Sequence, residues 1–127
     1  MRSFLVNRMR TFIFTTALPP LNVAWTKFIL SRLGGWNDRR ERLAEAALRV
    51  QAAVRGAGRE CPSSSHIVPF IVGESNQTIL KAEDMQRKGF YVLPVRPPTV
   101  PEGTSRLRIS LTAAVTEEEV DSLCREL

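Results

Sequence analysis

The fold of this chain is decided by residues 95–112, which read VRPPTVPEGTSRLRISLT. The first half, 96–103, contains three prolines and one glycine. Each proline fixes its own φ and favours an extended conformation in the residue before it, so this half is predicted to be a stiff connector. The second half, 106–111, alternates polar and apolar residues, which is typical of a half-buried strand. Its leucines and isoleucine therefore point to one side of a sheet, and its arginines and serine to the other.

The arginines of this stretch form a candidate anion site. Arg96 lies in the connector with Thr99, while Arg106 and Arg108 share one face of the strand. A guanidinium group can donate two parallel hydrogen bonds to a carboxylate or a phosphate. Arginines on the open face of a strand are also often simply solvated, and the residue chemistry alone leaves both interpretations open.

Two further strands and a helix are predicted just before this stretch. Residues 67–72 and 90–95 are short runs rich in β-branched and aromatic side chains, and Pro69 indicates that the first run lies at a sheet edge or carries an irregularity. Between them, Ser75 is a suitable N-cap for a helix that continues to Lys88. The side chains expected on its inner face are Ile79, Ala82 and Met85.

The clearest helix signal is at the C-terminal end of the sequence. Thr116 and Glu119 have the spacing of a capping box, in which each side chain bonds the backbone N–H of the other residue. The residues after it repeat at helical spacing and form one apolar stripe, namely Val120, Leu123, Cys124 and Leu127.

The N-terminal part is predicted to be mainly helical. Residues 11–16 read as a short extended segment, and Pro20 can begin a helix because its missing N–H costs nothing there. That helix carries a bulky apolar stripe of Ala24, Trp25, Phe28 and Ile29, until Gly34 and Gly35 interrupt it. Asp38, with Glu41, is expected to cap a second helix that ends at Gly56, and the two pieces could be one long, bent helix.

Together these elements predict an α/β chain of the two-layer α+β kind. A long N-terminal helix precedes strand, helix, strand, strand and helix, which suggests a small, mainly antiparallel sheet covered on one face by helices. No internal repeat or linker divides the sequence, so residues 1–127 are expected to form a single domain, with 1–58 as a connecting segment and long helix.

Composition disfavours several classes of function. The net charge is +5, with +7 in residues 1–60 and −2 in the remainder, but the basic residues are scattered and no nucleic-acid-binding motif accompanies them. Two cysteines, Cys61 and Cys124, and one histidine, His66, do not have metal-ligand spacing, so no metal site is expected and free thiols are favoured. The apolar run near the N-terminus is short and lacks a cleavage site, and no stretch is long enough to span a membrane.

The residues contain no recognisable catalytic constellation. No GxSxG elbow and no glycine-rich phosphate loop is present, and His66 stands beside serines in a loop rather than in a dyad. Glu117 and Glu118 lie at the start of a helix, where they complement its dipole. The sequence therefore shows parts suited to binding an anion, without a reactive group.

Several segments together resemble one enzyme family, the pyridoxal-phosphate-dependent α-oxoamine synthases. The similar segments are FIFTTALPP at 12–20, IVPFIVG at 67–73, the strand that begins at Gly89, and RPPTVPEGTSRLRISLTAA at 96–114. They occur in the order the family has and cover nearly the whole chain. The last segment most resembles the 8-amino-7-oxononanoate synthase branch of this family.

The resemblance implies the C-terminal small domain of a type I pyridoxal-phosphate fold in a cytoplasmic homodimer. Such an enzyme is an acyltransferase of biotin biosynthesis that condenses L-alanine with pimeloyl-CoA, or a pimeloyl-carrier protein, and releases CO2. By position, Arg108 would bind the amino-acid carboxylate and Thr99 would contact substrate. Arg96 and Arg106 would be weaker substrate-binding candidates, since shaping the loop or pairing with a carboxylate would account for either. Thr15 and Thr16 would bond the phosphate of the cofactor, pyridoxal 5′-phosphate, held by the neighbouring subunit.

The sequence departs from the family pattern at its reactive centre. The Schiff-base lysine, the aspartate that pairs with the pyridine nitrogen and the stacking histidine of the family lie upstream of the matched region. Lys27, Lys81 and Lys88 do not correspond to that lysine, so this chain is expected to supply no catalytic residue and to be inactive alone. Other α-oxoamine synthases, of the 2-amino-3-ketobutyrate CoA ligase or 5-aminolevulinate synthase type, and a non-catalytic anion-binding module remain as alternatives.

Overall fold

The structure is a computed structural model that describes residues 1–10 and 17–127. These residues fall into two compact units, Met1–Trp36 and Asn37–Leu127. The boundary lies within the segment that the sequence assigned to a connector and a long helix. The expectation of one C-terminal domain over 1–127 stays a prediction.

The first unit is helical and exposed. Its elements are α1 (Arg2–Arg8), α2 (Pro20–Arg32) and a 3-10 turn (Leu33–Gly35). Pro20 begins α2 as predicted, because a proline at the first helical position has no N–H to leave unpaired. The apolar stripe of α2 is not buried: Trp25 is 62% exposed and stacks on Phe28, with ring centroids 5.8 Å apart.

The second unit contains a three-stranded antiparallel sheet. Its elements are α3 (Asn37–Gly56), β1 (Ile67–Gly73), α4 (Ser75–Arg87), β2 (Leu93–Val95), β3 (Ser105–Ser110) and α5 (Glu117–Glu126). The strand order is β1-β3-β2, so the stretch that alternates most strictly is the central strand. β1 is an edge strand, which confirms the position inferred from Pro69.

Helices cover one face of this sheet, as predicted. Alternate residues of β1 and β3 point into the core, where Val68 and Leu107 are completely buried. α4 packs on all three strands, α3 packs on β1, and α5 packs on α3. The buried helical residues that close this core are Ala47, Val50, Val54, Ala82, Met85, Val120 and Leu123.

Polar contacts connect the helices at the edges of this core. Arg49 of α3 forms an ion pair with Asp121 of α5. Gln51, only 4% exposed, donates from Nε2 to the Ser65 carbonyl at 3.0 Å and so connects α3 to the segment before β1. Thr116 and Glu119 form the predicted capping box at the start of α5.

Several predicted boundaries are wrong, each for a local reason. The helix expected from an N-cap at Ser75 has Glu74 as its N-cap, and the Ser75 hydroxyl instead lies 3.1 Å from that of Ser105. Its inner face includes Thr78, which is fully buried and whose hydroxyl donates to the Glu74 carbonyl at 2.7 Å, while Ile79 is only half-buried. α3 begins one residue before Asp38, and the 3-10 turn separates it from α2, so they are not one bent helix.

The second predicted strand, 90–95, is also shorter than expected. The Phe90 N–H donates to the Met85 carbonyl at 2.9 Å, and the Val92 carbonyl accepts a hydrogen bond from the Gln86 side chain. α4 therefore takes the backbone groups that a longer strand would need, and β2 begins only at Leu93. The extended segment predicted at 11–16 lies outside the described residues.

Candidate functional site

The candidate site is the open face of the sheet, on the side away from the helices. Directly opposed residues of an antiparallel sheet point to the same side. The register places Arg108 between Pro69 of β1 and Leu93 of β2, and Arg106 between Ile71 and Val95. Two arginines therefore lie along the middle of this face, with apolar residues on both sides.

Arg108 is the most available cation of this face. Its side chain is exposed, and it forms no hydrogen bond or ion pair with any residue in 1–10 or 17–127. Its Cα lies on a strand held from both edges, so the guanidinium projects from a fixed base. An unpaired guanidinium beside exposed Leu93 can bind a carboxylate bidentately while its neighbours contact an apolar chain.

A rigid loop borders the same face at the end of β2. We call residues 96–104 the proline loop. It begins with a turn in which the Thr99 N–H donates to the Arg96 carbonyl at 3.0 Å and the central Pro97–Pro98 bond is cis. Arg96 and Thr99 are both exposed, and the part of the chain that the structure describes offers neither side chain a hydrogen bond.

The C-terminal end of the proline loop is anchored on the sheet. Thr104 donates from its backbone N–H and from Oγ1 to the Pro101 carbonyl, at 3.2 and 2.7 Å. Arg106, which is half-buried, donates from Nε to the Thr104 carbonyl at 2.9 Å. Gly73, opposite buried Ser105, approaches the Gly103 carbonyl so closely that a Cβ there would lie 3.6 Å from its oxygen.

The structure thus brings some predicted site residues together and not others. Arg106 and Arg108 share the open face, as the alternation indicated, and Arg96 leaves the neighbouring strand one residue after Val95, the partner of Arg106. No hydrogen bond joins Arg108 to Thr99 within the described ranges. Thr15 and Thr16 lie outside the described residues, so their assignment stays a prediction, as do the roles of Arg96, Thr99 and Arg108.

Sequence reasoning missed the base of the proline loop. The strand pattern of 67–72 says nothing of Gly73, although a glycine after a strand often marks a backbone conformation that other residues avoid. Its φ is +104°, and that of Gly103 is +73°. The contact between Ser75 and Ser105 had no sequence signal, because the residues are far apart along the chain.

The lysines do not fit a cofactor-binding role. Lys81 donates to the Glu126 carbonyl at 2.9 Å. The Lys88 Nζ lies 2.7 Å from a Glu126 carboxylate oxygen and 3.0 Å from an Asp84 carboxylate oxygen. Both hydrogen bonds raise the pKa of Lys88, and the bond to Glu126 has the larger effect. Imine formation needs a neutral amine, so a raised pKa opposes it. Lys27 is an exposed residue of α2. That no lysine of this chain forms the imine with the cofactor stays a prediction.

One cavity lies away from the open face. A cavity of about 420 Å³ lies between α3 and the start of α5, and its charged lining residues, among them Arg49 and Glu117, do not belong to the open face. Within 1–10 and 17–127, no group of three or more His, Cys, Asp or Glu side chains is arranged to hold a metal ion. None of the helices in these ranges is both long and apolar enough to cross a membrane.

The chain is similar to named enzymes. It is 48% identical over 120 residues to a putative 8-amino-7-oxononanoate synthase of Haemophilus influenzae (strain 86-028NP), a match that covers 94% of this chain and 32% of the relative. In three dimensions it resembles serine palmitoyltransferase of Sphingomonas wittichii, with a TM-score of 0.88, 27% identity, and coverage of 98% of this chain and 32% of the other. A structure of SPT with a PLP internal aldimine matches with the same TM-score and coverage at 26% identity.

The chain thus spans about a third of the length of the curated relatives that it matches. The sheet and helices of the second unit are those of a type I pyridoxal-phosphate-dependent transferase, as the structural neighbours show. The family model for aminotransferase class I and II matches residues 1–127, so the chain belongs to that family.

Proposed function

We propose that this chain contributes the carboxylate-binding face of an 8-amino-7-oxononanoate synthase. The whole enzyme would transfer a pimeloyl group from a thioester to L-alanine with loss of CO2, as a cytoplasmic homodimer in biotin biosynthesis. In that enzyme, residues 1–127 would be the C-terminal domain, and the Schiff-base lysine would be supplied by a large domain. The proposal is supported by the similarity to enzymes of that name at 46–48% identity.

The proposal rests mainly on the exposure and the position of the Arg108 side chain. It is exposed, unpaired within the described residues, and fixed on the central strand between Pro69 and Leu93. A carboxylate bound there by two parallel hydrogen bonds would be held in one orientation, which is what a reaction at the neighbouring Cα requires. Thr99 and Arg96, on the adjacent stiff loop, would limit the space around the substrate.

The cofactor of this family is pyridoxal 5′-phosphate. When bound, it supplies an electron sink for chemistry at the Cα of the amino acid. The present chain would provide Thr15 and Thr16 for its phosphate in the partner subunit, and Arg108 for the substrate. Since Lys81 and Lys88 are engaged with the C-terminal end of α5, reduction of the chain with borohydride in the presence of pyridoxal phosphate is expected to trap no specific lysine.

A chimeric enzyme tests the activity directly. Residues 1–127 would replace the matching third of the Haemophilus influenzae relative, and CoA release from pimeloyl-CoA would be measured with L-alanine. We expect turnover that depends on L-alanine, and a kcat/KM lowered about 10- to 100-fold by Arg108→Lys, since a lysine cannot make the bidentate contact.

The control separates the proposed enzyme from related ones. Glycine and L-serine, with acetyl-, succinyl- or palmitoyl-CoA, are assayed in the same chimera. A chimera that binds the cofactor and prefers one of these pairs would show another α-oxoamine synthase. A folded chimera whose turnover does not change in Arg108→Lys would remove the carboxylate-binding role from Arg108.

A further inference from the structure

Arg106 and Arg108 lie on the same face of β3, but the fold treats them differently. Arg108 is exposed and free of partners within the described part of the chain. Arg106 is half-buried, and its Nε donates to the Thr104 carbonyl at 2.9 Å. The Nε–H of Arg106 is therefore already bonded to the backbone of its own chain.

The acceptor of this bond closes the proline loop. Thr104 directs its backbone N–H and its hydroxyl at the Pro101 carbonyl, while its own carbonyl receives Arg106. Three of the nine loop residues, Pro97, Pro98 and Pro101, have no N–H to donate, so the loop can make few backbone hydrogen bonds of its own. The bond from Arg106 adds a charged donor to the two backbone hydrogen bonds within the loop, those from Thr99 to Arg96 and from Thr104 to Pro101.

Two other contacts fix the same end of the loop. Ser105 is fully buried, and its hydroxyl lies 3.1 Å from that of Ser75 at the start of α4. Gly103 lies against Gly73 of β1. The loop therefore has a defined base, and Arg106 is the only charged side chain described in contact with the loop backbone there.

The geometry points to Arg106 as a positioning residue that holds the proline loop, and not as a second ligand of the substrate carboxylate. The inference rests on the proposed function, because the loop matters to catalysis only if Arg96 and Thr99 meet the substrate. A bond from Nε to a carbonyl occupies the side-on pair of donors, Nε and one Nη, and leaves Arg106 only its end-on pair, whereas Arg108 keeps both arrangements.

Amide exchange measured by NMR on the full chain tests this role. Arg106→Met keeps an unbranched side chain as far as the position of Nε and removes the donors, and Arg108→Met is the matched control on the same face. The Thr104 amide, which donates to the Pro101 carbonyl, is expected to exchange about tenfold faster in Arg106→Met, because the loop end opens more often once the Thr104 carbonyl loses its charged donor. The Thr99 amide should also exchange faster, while those of Leu107 and Ile109 keep their rates and so exclude general unfolding.

Conservative variants provide a readout that distinguishes the two roles. A single donor suffices to reach a carbonyl, so Arg106→Lys should restore slow exchange at Thr104. A carboxylate fork cannot be replaced in this way, so Arg108→Lys should not restore the acetate binding lost in Arg108→Met. Acetate binding is followed by the backbone amide chemical shifts of Thr99 and of residue 108. Acetate should bind several-fold more weakly to Arg106→Met and recover in Arg106→Lys.

The positioning role of Arg106 and the carboxylate site at Arg108 can fail independently in these experiments. Unchanged exchange at Thr104 in Arg106→Met, or an Arg106→Lys variant that behaves like Arg106→Met, would overturn the positioning role. If the wild-type chain does not respond to acetate, the carboxylate site of the proposed function fails in this chain, and the exchange rates still decide the role of Arg106.

Discussion

At Gly73 a single residue determines how the proline loop meets the sheet. Its φ of +104° lies in the region that glycine adopts freely and other residues avoid. The pairing of β1 with β3 is irregular at this point, between Ile71 and Gly73, and the Gly103 carbonyl lies close by. The residue therefore combines a special backbone conformation with a close approach of the loop.

Gly73→Ala is expected to lower the free energy of unfolding by about 1–3 kcal/mol, because alanine is strained at this φ. Gly56→Ala is the matched control: Gly56 ends α3, its φ is not in the positive range, and a Cβ there would meet no atom within 4 Å. Urea denaturation followed by circular dichroism measures both. Equal midpoints for Gly73→Ala and wild type would show that the loop base tolerates a different backbone conformation.

Arg106 and Arg108 show what the sequence of β3 could not predict. Strict alternation in β3 was sufficient to assign Leu107 and Ile109 to the core and Arg108 to the open face. The same alternation could not distinguish Arg106 from Arg108, because the difference is one hydrogen bond to a loop carbonyl. Such a bond depends on the turn between Pro101 and Thr104, which the pattern predicted only as a stiff connector.

At the scale of elements, α5 depends on its cap. Thr116 accepts a hydrogen bond from the Glu119 N–H at 3.2 Å, and the Glu119 carboxylate accepts one from the Thr116 N–H at 2.8 Å. Thr116→Ala is expected to lower the free energy of unfolding by about 1 kcal/mol, the usual cost of losing a cap. Thr99→Ala serves as the control, since that hydroxyl forms no hydrogen bond within the described residues. Equal losses in thermal melts of both variants would contradict a specific role for the cap.

The contact of α4 with α5 predicts a dependence on pH. A hydrogen bond from Lys88 lowers the pKa of Asp84 below its usual 3.8, despite some opposing desolvation. The stabilisation from this carboxylate is therefore present above pH 3.8 and lost as the pH falls through its lower folded value. The pKa of Lys88 is raised in the folded chain, so its charge affects stability in the opposite direction. The stabilisation from the charged Lys88 is present below pH 10.5 and is lost as the pH rises through the pKa of the folded state.

Lys88→Met should therefore destabilise the chain slightly at pH 7, and the difference from wild type should shrink at pH 2.5. The groups are exposed, so the effect is small and screened by salt. Arg87→Met is the control, because Arg87 lies 3.4 Å from the same Asp84 but does not contact α5. Urea titrations at the two pH values measure the differences. If the free energy of unfolding of Lys88→Met is below that of wild type by the same amount at both pH values, packing and not charge connects these helices.

Element boundaries were predictable where the local sequence alone sets them. The capping box of α5 and the proline at the start of α2 needed no tertiary information. β2 was predicted too long because the competing hydrogen bonds come from α4, through Met85 and Gln86. The residue pattern of a strand does not show that a neighbouring helix will bond the same backbone groups.

At the scale of the whole molecule, the two units differ in how much apolar surface they bury. All residues of the hydrophobic core lie between Ala47 and Leu123. In the described part of Met1–Trp36, only Ile29 and Trp36 are even half-buried, and α2 exposes Leu21, Trp25 and Leu30. The sequence predicted the apolar stripe of α2, but a stripe does not specify the surface that covers it.

Residues 37–127 are therefore expected to fold without residues 1–36. The described residues of 1–36 contribute nothing to the buried core, so the fragment should keep a cooperative thermal transition close to that of the full chain and should bind less of a hydrophobic dye. The matched control is the fragment 57–127, which lacks α3 and with it Ala47, Val50 and Val54 of the core. Losing three buried apolar side chains and the cover of β1 should abolish its cooperative transition. Calorimetry of the three chains measures this, and a fragment 37–127 that melts without cooperativity would show that the second unit needs the first in order to fold.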